Sequence, residues 1–333
     1  MSRIAVLGGG NWGTTLALHL LQNRHEVGLW EFFPELAGAM KRDRENKRYL
    51  PGVPLPESLK VSADLGEIAR DAEVLLFVVP SHLLRELLWG LKEVGLRAGL
   101  AVSAIKGLET DSHKRMSEVV GEELPQFAKK VVALSGPSLA LEVARGVPTA
   151  VVAACDDEEK AGLAQKAFFG PRFRVYTSPD IAGVELGGAL KNVIAIAAGI
   201  SDGLGFGDNA RGALLTRGLA EMTRLGTALG ARPETFSGLS GMGDLITTCS
   251  SKLSRNHQVG MAIAQGKKLE AVLKEMVMVA EGVKTTTAAN QLARLHGVEM
   301  PIADQMQAIL FEGKDPREGV MALMQREPKA EAR

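Results

Sequence analysis

The sequence predicts an α/β protein in which a doubly wound, mainly parallel sheet is followed by an all-helical domain. Up to about residue 178, short apolar runs of strand length alternate with segments of helical spacing. This alternation is typical of a parallel sheet with helices on both faces. Beyond that point the strand signal fades and long helical periodicities follow. We therefore expect a sheet domain over residues 1–178 and a helical domain over residues 179–333.

Seven strands are predicted in the first half, and several are continuously apolar, as strands buried on both faces are. They are Arg3–Leu7, Glu26–Trp30, Val74–Val79, Leu100–Ile105, Val131–Leu134, Thr149–Ala154 and Phe173–Tyr176. Helical spacing lies between them, most clearly over Thr14–Arg24 and Ser81–Val94. In the second half, helical periodicity covers residues 180–200, 209–229, 255–265, 282–296 and 301–311.

The composition excludes several classes of protein. Positive and negative residues number 39 each, so the formal net charge is zero, which argues against a nucleic-acid binder. The two cysteines, Cys155 and Cys249, form no metal-binding or disulfide pattern, and no HExxH motif occurs. The N-terminus has no signal-peptide pattern, and no uncharged apolar run reaches the roughly 18 residues of a membrane span. We expect a cytoplasmic protein with no integral membrane segment and no metal.

The first strand leads into a glycine-rich loop that spells G-x-G-x-x-G at Gly8, Gly10 and Gly13. Gly8 permits a tight turn, Gly10 lets the backbone approach a pyrophosphate, and Gly13 lets helix and strand pack closely. The helix that follows presents free N–H groups and a positive dipole to phosphates. Strand, loop and helix occur in the order that a Rossmann-type site requires, so we expect NAD or NADP here rather than a glycine turn without a ligand.

The second strand is followed by Glu31 and Phe32. Glu31 lies 18 residues after Gly13, close to the spacing at which an acid bonds the ribose hydroxyls of NAD. A carboxylate there repels the 2′-phosphate of NADP, so Glu31 favours NAD. An ordinary surface glutamate is the alternative, and the nearby Arg42 and Arg44 leave NADP use open.

Two lysines are candidates for chemistry. Lys106 follows the predicted strand Leu100–Ile105, at the sheet edge where ligands bind, although a solvated loop lysine is an equal alternative. Lys191 lies one turn after Gly187 and Gly188, each of which costs a helix about 1 kcal/mol relative to alanine. That cost indicates that another group approaches the helix closely at these two glycines. A desolvated lysine with a lowered pKa suits a general acid or base, the alternative being a snorkelling lysine at a domain junction.

Loops after two further strands are expected to flank a ligand. Ser81, after the third strand, can cap the next helix, and this loop is expected beside the cofactor. After the fifth strand, Gly136 and Ser138 precede a short predicted helix over residues 139–145, for which Ser138 is a candidate N-cap. The free N–H groups at the start of that helix can bind an anion. The alternative is that Ser138 caps the helix and no ligand binds there.

Two segments of the second half complete the candidate site. Asp244, in a glycine-rich turn, can pair with Lys191, cap a helix, or do both. Ser254 is a candidate N-cap, and Arg255 at the same helix start adds a fork of donors suited to a phosphate monoester. The alternative for these two residues is an ordinary capped surface helix.

Eight ordered motifs, from Gly8 to about Glu312, resemble the soluble, bacterial type of NAD(P)-dependent glycerol-3-phosphate dehydrogenase. The motifs are GGGNWGTTLA, FVVPSH, IKG, SGPSLA, GGALKNVIAIAAG, GMGDLITTCSS, SRNHQVG and VAEGVKT. The loop departs from the family pattern at Gly9 and Asn11, where Ala and Ser are expected. Residues 31–33 replace the small-then-basic residues common in bacterial members that use NADP.

The resemblance implies hydride transfer between NAD(P)H and dihydroxyacetone phosphate, in a homodimer that supplies glycerol 3-phosphate for phospholipid synthesis. It implies that Lys191 is the proton acceptor, assisted by Asp244 and Lys106. The substrate contacts that it implies are Lys106, Gly136, Ser138, Lys191, Asp244, Thr248, Ser254, Arg255 and Asn256. The implied cofactor contacts, which join Gly8, Gly10, Gly13, Glu31 and Phe32, are Asn11, Trp12, Lys106, Ala140, Arg255, Val279 and Glu281.

Two other functions remain open at this point. A β-hydroxyacid dehydrogenase of similar architecture also pairs a Rossmann domain with a helical domain and a lysine-asparagine, although Arg255 after a capping serine favours phosphate over a carboxylate. A non-catalytic NAD sensor needs the glycine loop but not Lys191, Asp244 and Arg255 together.

Overall fold

An eight-stranded sheet forms the N-terminal half of the computed structural model, which describes residues 1–328, 330 and 331. Its strands are β1 (Arg3–Leu7), β2 (Glu26–Trp30), β5 (Lys60–Ser62), β6 (Val74–Phe77), β7 (Leu100–Ser103), β8 (Val131–Ser135), β9 (Thr149–Ala154) and β10 (Phe173–Ser178). A separate antiparallel hairpin joins β3 (Glu45–Asn46) to β4 (Leu50–Pro54). The seven predicted strands are all present to within two residues at their ends. The hairpin and β5 went unpredicted because they are too short and polar to carry an apolar pattern.

The order of strands across the sheet is β10-β9-β8-β7-β6-β1-β2-β5. β1 pairs in parallel with β2 on one side and with β6 on the other, so the chain reverses its winding direction at β1. Only the contact between β8 and β9 is antiparallel within this sheet. The carboxyl ends of β1, β6, β7 and β8 therefore meet at one edge, which is where ligands bind in doubly wound sheets.

Helices cover both faces of the sheet and bury an apolar layer on each. They are α1 (Asn11–Gln22), α2 (Pro34–Asp43), α3 (Leu65–Ala69), α4 (Leu84–Lys92), α5 (Met116–Glu123), α6 (Ala140–Ala144) and α7 (Glu158–Phe168). Leu16 and Leu20 of α1 pack with the side chains of one sheet face. Leu84 and Leu88 of α4 pack on the other. Because both faces are covered, the central strands β6, β7 and β8 are buried along their whole length, as the sequence pattern predicted.

The C-terminal half is helical. Its helices are α8 (Ile181–Gly203), α9 (Asp208–Ala228), α10 (Pro233–Phe236), α11 (Asp244–Ser250), α12 (Arg255–Ala264), α13 (Leu269–Glu275), α14 (Glu281–Leu295), α15 (Pro301–Phe311) and α16 (Pro316–Met324). α8 lies at the centre, against α9, α11, α12 and α14. α12 can cross α8 closely because residue 260 is glycine. A Cβ at that position would lie only 2.0 Å from the Ile196 carbonyl oxygen. β10 ends at Ser178 and α8 begins at Ile181, although the domain boundary itself stays a prediction.

Within the described residues, α8 is the one helix long and apolar enough to cross a membrane. However, 94 % of its most apolar 18-residue window is buried inside the protein. It also carries Glu185 and Lys191, both of which are buried. Its apolar character is therefore accounted for by its place in the core of the helical half.

Candidate active site

The glycine loop has the geometry that each of its three motif glycines predicted. Gly8 has a φ of +129°, which L side chains rarely adopt. A Cβ on Gly13 would lie 1.8 Å from the Gly8 carbonyl oxygen, so helix α1 can pack on β1 only with glycine there. Nothing lies within 4 Å of a Cβ placed on Gly10, the N-cap residue of α1. The loop therefore has open space at the start of a helix, as a phosphate site requires.

Glu31 lies against this loop and is only 4 % exposed. One of its carboxylate oxygens accepts a hydrogen bond from the Phe33 N–H at 3.0 Å, and the other would lie 2.3 Å from a Cβ on Gly9. Burial raises the pKa of Glu31, although its hydrogen bond lowers it. An ordinary surface glutamate is therefore excluded, whereas Phe32 is 60 % exposed beside it.

Two lysines from different halves of the chain bind the carboxylate of Asp244. Lys106 Nζ lies 2.7 Å from Asp244 Oδ2, and Lys191 Nζ lies 3.0 Å from Asp244 Oδ1. Asp244 and Lys191 are 1 % and 5 % exposed, so both charges are removed from water. Asp244 is the first residue of α11 and forms no capping bond with its side chain, so the pairing prediction is confirmed and the capping alternative is wrong.

Thr248, one turn after Asp244 on α11, completes the surroundings of the Lys191 amine. Lys191 Nζ donates to Thr248 Oγ1 at 2.5 Å, and this hydroxyl donates to Asp244 Oδ1 at 3.2 Å. Burial lowers the pKa of Lys191 to about 8, although the Asp244 carboxylate opposes that shift. Burial alone would raise the pKa of Asp244, but the two lysines outweigh it and hold that pKa below its usual value. The predicted lowered pKa of Lys191 is thus present in the structure.

The glycine pair before Lys191 allows two close approaches to α8. A Cβ on Gly187 would lie 2.9 Å from the Ser240 carbonyl oxygen. On Gly188 it would lie 2.7 Å from Ser135 Oγ and 3.5 Å from Lys106 Cγ. The expected close approach at these glycines is therefore confirmed, and it brings the turn before Asp244 and the stem of Lys106 onto the helix that carries Lys191.

The loop after β8 binds Lys106 rather than capping a helix. Lys106 Nζ donates to the Gly136 carbonyl oxygen at 2.9 Å and to Ser138 Oγ at 3.4 Å. Ser138 donates its own hydroxyl to the Gly136 carbonyl at 2.9 Å. The predicted N-cap role of Ser138 is wrong, because α6 starts at Ala140 after Leu139 and the serine hydroxyl is used within the loop.

Ser81 joins the two halves of the chain. Its N–H donates to Glu281 Oε1 at 3.0 Å and its hydroxyl donates to Glu281 Oε2 at 2.6 Å. The expectation that Ser81 caps the following helix is wrong, because its hydroxyl is directed to the glutamate of α14 instead. Glu281 is therefore at the junction, beside the loop that we expected near the cofactor.

Asn192 and Asn256 form a second link between the halves. Asn192 Nδ2 donates to the Lys106 carbonyl oxygen at 3.3 Å, and its Oδ1 accepts from Asn256 Nδ2 at 2.9 Å. Asn256 Oδ1 in turn accepts from the Gly282 N–H at 2.9 Å. Asn256 thus holds Asn192, and its substrate contact stays a prediction. The lysine-asparagine pair in the sequence was the only signal for Asn192.

The start of α12 carries the predicted cap and the predicted arginine. Ser254 Oγ accepts a hydrogen bond from the His257 N–H at 3.3 Å, which confirms the cap. Arg255 donates from its guanidinium to the Val279 carbonyl oxygen at 2.7 Å. Burial lowers the pKa of Arg255, with Glu281 opposing that shift. An ordinary surface helix does not describe this half-buried arginine, whose guanidinium binds the backbone just before α14.

The remaining predicted cofactor residues lie near the glycine loop or the junction. Asn11 Oδ1 accepts from the Trp12 N–H at 2.8 Å within the first turn of α1. The Ala140 carbonyl accepts from Thr15 Oγ1 at 3.2 Å, which ties α6 to α1. Within residues 1–328, 330 and 331, no group of three His, Cys, Asp or Glu side chains could hold a metal ion, and the absence of a metal stays a prediction.

Two family models match the chain. The model of the N-terminal part of NAD-dependent glycerol-3-phosphate dehydrogenase matches residues 3–161, and the model of its C-terminal part matches residues 180–321.

The chain belongs to the NAD-dependent glycerol-3-phosphate dehydrogenase family.

Curated relatives named glycerol-3-phosphate dehydrogenase (NAD(P)+) align over almost the full length of this family member. The one from Citrifermentans bemidjiense is 54 % identical over 330 residues, which cover 99 % of this chain and 98 % of the relative. The one from Nitratidesulfovibrio vulgaris strain DP4 is 53 % identical over 331 residues, which cover 99 % and 100 %. The predicted resemblance to a nicotinamide-dependent oxidoreductase family is thereby confirmed.

Solved structures agree with the predicted fold. Glycerol-3-phosphate dehydrogenase from Coxiella burnetii has a TM-score of 0.93 and 40 % identity, with 98 % of this chain and 99 % of that chain covered. The enzyme from Saccharomyces cerevisiae has a TM-score of 0.81 and 28 % identity, with the same coverage. A ketopantoate reductase from Ralstonia eutropha has a TM-score of 0.61 at 14 % identity, so it shares the fold alone. The sheet domain followed by a helical domain is thus confirmed as the fold of this glycerol-3-phosphate dehydrogenase family member.

Proposed function

We propose that this chain interconverts sn-glycerol 3-phosphate and dihydroxyacetone phosphate with NAD(P) as the hydride carrier. The observation that carries the proposal is the buried Lys191 amine. It lies at the junction of the two halves, and the Asp244 that it binds is also bound by Lys106 of the sheet domain. A lysine held in this way, with a pKa of about 8, exchanges a proton readily near neutral pH.

The residues around the glycine loop fit a dinucleotide. Gly10 borders open space at the start of α1, and Gly8 and Gly13 have conformations or contacts that only glycine allows. These backbone groups would hold the pyrophosphate, and Glu31 would hold the adenosine ribose. When bound, the nicotinamide accepts or supplies the hydride at the substrate C2 carbon.

Lys191 handles the proton that accompanies the hydride. In the oxidation of glycerol 3-phosphate, the neutral amine takes the proton of the C2 hydroxyl while C2 gives up hydride and becomes a carbonyl. In the reverse direction, the ammonium polarises the carbonyl oxygen of dihydroxyacetone phosphate and returns the proton to it. Thr248 and Asp244 orient the amine through the bonds at 2.5 and 3.0 Å. General acid–base catalysis of this kind raises the rate of a reaction by a factor of about 10²–10⁴.

Arg255 and Lys106 supply the positive charge for the substrate phosphate. The Asp244 carboxylate neutralises one of the two lysine charges, and Arg255 at the start of α12 adds a further cation beside the positive end of the helix. A phosphate fixed there keeps C2 within reach of the Lys191 amine. We extend the proposal to the other predicted substrate contacts, which are Gly136, Ser138, Thr248, Ser254 and Asn256.

NAD is the proposed physiological cofactor. In support of this, Glu31 lies buried against Gly9, and a carboxylate that holds the adenosine ribose would repel the 2′-phosphate of NADP. The remaining cofactor contacts that we propose are Asn11, Trp12, Phe32, Lys106, Ala140, Arg255, Val279 and Glu281. We also propose a homodimer in the cytoplasm that supplies glycerol 3-phosphate for phospholipid synthesis, with no nucleic-acid partner, and a domain boundary after residue 178.

One assay tests the proposal and its alternatives. Dihydroxyacetone phosphate reduction is measured with NADH and with NADPH side by side, together with a set of β-hydroxyacids and NAD. We expect turnover of dihydroxyacetone phosphate and a higher kcat/KM with NADH. Faster turnover of a β-hydroxyacid would establish that alternative, and NADH binding without any turnover would establish a sensor. Light scattering on the same preparation tests the dimer.

A further inference from the structure

Asn46 connects the short β3–β4 hairpin to the glycine loop. It is 2 % exposed, and its amide nitrogen donates to the Gly9 carbonyl oxygen at 2.8 Å and to Thr14 Oγ1 at 2.8 Å. Its amide oxygen accepts from the Tyr49 N–H of the hairpin at 3.1 Å. Thr14 Oγ1 also donates to the Gly9 carbonyl, at 3.2 Å. Two side chains thus converge on one carbonyl oxygen of the loop.

This carbonyl shares a peptide group with the N–H of Gly10. The peptide is planar and trans, so its C=O and N–H point in opposite directions. Hydrogen bonds from Asn46 and Thr14 hold the Gly9 carbonyl toward the hairpin and α1, and the Gly10 N–H therefore points away from them. Gly10 itself borders open space, with nothing within 4 Å of a Cβ placed on it.

Neither residue of this peptide has a side chain that could fix its orientation. A glycine pair allows the peptide group to rotate at little steric cost, so its orientation must come from hydrogen bonds. We propose that Asn46 is a positioning residue that orients the Gly9–Gly10 peptide and thereby sets the affinity for the pyrophosphate of a dinucleotide. This inference depends on the proposed cofactor site. On this proposal, the β3–β4 hairpin that carries Asn46 contributes to the binding of the cofactor.

A matched control separates this role from a purely structural one. Asn23, at the opposite end of α1, likewise donates two hydrogen bonds from its amide, in its case to the backbone carbonyls of Ala167 at 2.9 Å and Phe169 at 3.0 Å. Loss of either asparagine removes comparable hydrogen bonds from the same domain. Of the two asparagines, only Asn46 contacts the glycine loop. Only the loss of Asn46 should therefore weaken the binding of the cofactor.

The experiment compares Asn46→Ala, Asn23→Ala and Thr14→Val with the wild-type full chain. NADH affinity is titrated by fluorescence, and kcat and both KM values are measured with dihydroxyacetone phosphate. We expect Asn46→Ala to raise the NADH Kd and KM about tenfold, as the loss of an orienting hydrogen bond does. Its kcat at saturating NADH and its KM for dihydroxyacetone phosphate should stay within about twofold, because only binding has changed.

The two other variants make the test decisive. Asn23→Ala should lower the urea midpoint and leave the NADH Kd unchanged. Thr14→Val keeps the side-chain shape and the Asn46 bond to Gly9 but removes the hydroxyl that donates to the Gly9 carbonyl. With one of the two hydrogen bonds to this carbonyl lost, the NADH Kd should rise about threefold. Equal NADH affinity in wild type and Asn46→Ala, or an equal loss in Asn23→Ala, would overturn the role of Asn46. If Asn46→Ala does not fold, an unchanged Kd in Thr14→Val overturns it. Wild-type protein that does not bind NADH contradicts the proposed function itself.

Discussion

Lys106 and Lys191 come from different halves of the chain and bind opposite oxygens of the same carboxylate, that of Asp244. The distances from their Nζ atoms are 2.7 and 3.0 Å. Asp244 is almost fully buried, so this pair of bonds fixes the relation between the edge of the sheet and α8. One carboxylate between two ammonium groups leaves one positive charge unbalanced, which suits the anionic substrate that we propose.

Replacement of Lys191 by methionine should abolish turnover without loss of the cofactor. Lys191→Met keeps the length of the side chain and removes the amine, so kcat for dihydroxyacetone phosphate reduction should fall about a thousandfold. The NADH Kd should not change, because the glycine loop is untouched. Lys267→Met is the control, since Lys267 is a half-exposed partner of Glu275 on the surface. A Lys191→Met enzyme with near-normal kcat would remove the amine from the mechanism.

The two reaction directions should depend on pH in opposite ways. Oxidation needs the neutral amine, so its kcat should rise as pH passes through about 8, and reduction should fall over the same range. Asp244→Asn removes a negative charge that raises the pKa of Lys191, so the midpoint should move to lower pH by about one unit. The check is a pH profile in both directions on variants shown to be folded by circular dichroism. An unmoved midpoint would mean that Asp244 does not control the amine.

Removal of the Glu31 carboxylate should shift the cofactor preference toward NADPH. Glu31→Ala would remove the proposed repulsion of the 2′-phosphate and the proposed bond to the ribose, so the ratio of kcat/KM for NADPH to that for NADH should rise about tenfold. The exposed Glu35 on α2 provides the control variant, Glu35→Ala, which should leave the ratio unchanged. Equal ratios in wild type and Glu31→Ala would assign cofactor choice to other residues.

Two glycine-to-alanine changes in helices should have opposite effects on stability. Gly162 in α7 has no atom within 4 Å of an added Cβ, so Gly162→Ala should raise the free energy of unfolding by about 1 kcal/mol. In Gly187→Ala the Cβ would lie 2.9 Å from a backbone oxygen of Ser240. It should lower the free energy of unfolding by about 2 kcal/mol and reduce kcat by moving the turn before Asp244. Urea unfolding measures both, and a stabilised Gly187→Ala would show that the close packing is dispensable.

The sequence alone predicted those parts of the site that depend on neighbouring residues. The glycine loop was readable because strand, turn and helix succeed one another within a few positions, and the Ser254 cap depends on a bond to His257 only three residues away. Lys191 was recognisable because Gly187 and Gly188 impose a cost on their own helix. Each of these signals is local, so it leaves a pattern in consecutive residues.

Other predictions failed where a distant residue takes a hydrogen bond that local rules assign elsewhere. Ser81 donates to Glu281, which is 200 positions away in the chain, and so does not cap its own helix. Ser138 contacts Lys106 and Gly136 and leaves the start of α6 uncapped. In both cases the capping prediction makes the serine hydroxyl an acceptor for a helix N–H. In the folded chain each hydroxyl instead donates to an oxygen atom, that of the Glu281 carboxylate or that of the Gly136 carbonyl.

What the sequence by itself determined is the family, the two-part fold and the chemical character of the glycine loop and of Lys191. The tertiary structure decided how these parts meet: the shared Asp244, the Ser81–Glu281 contact and the Asn46 hydrogen bond to Gly9. Periodicity and capping rules report how a segment of chain interacts with itself. Buried hydrogen bonds between segments that are 37 to 200 residues apart depend on the packing of the whole domain, and they leave no periodic trace in the sequence.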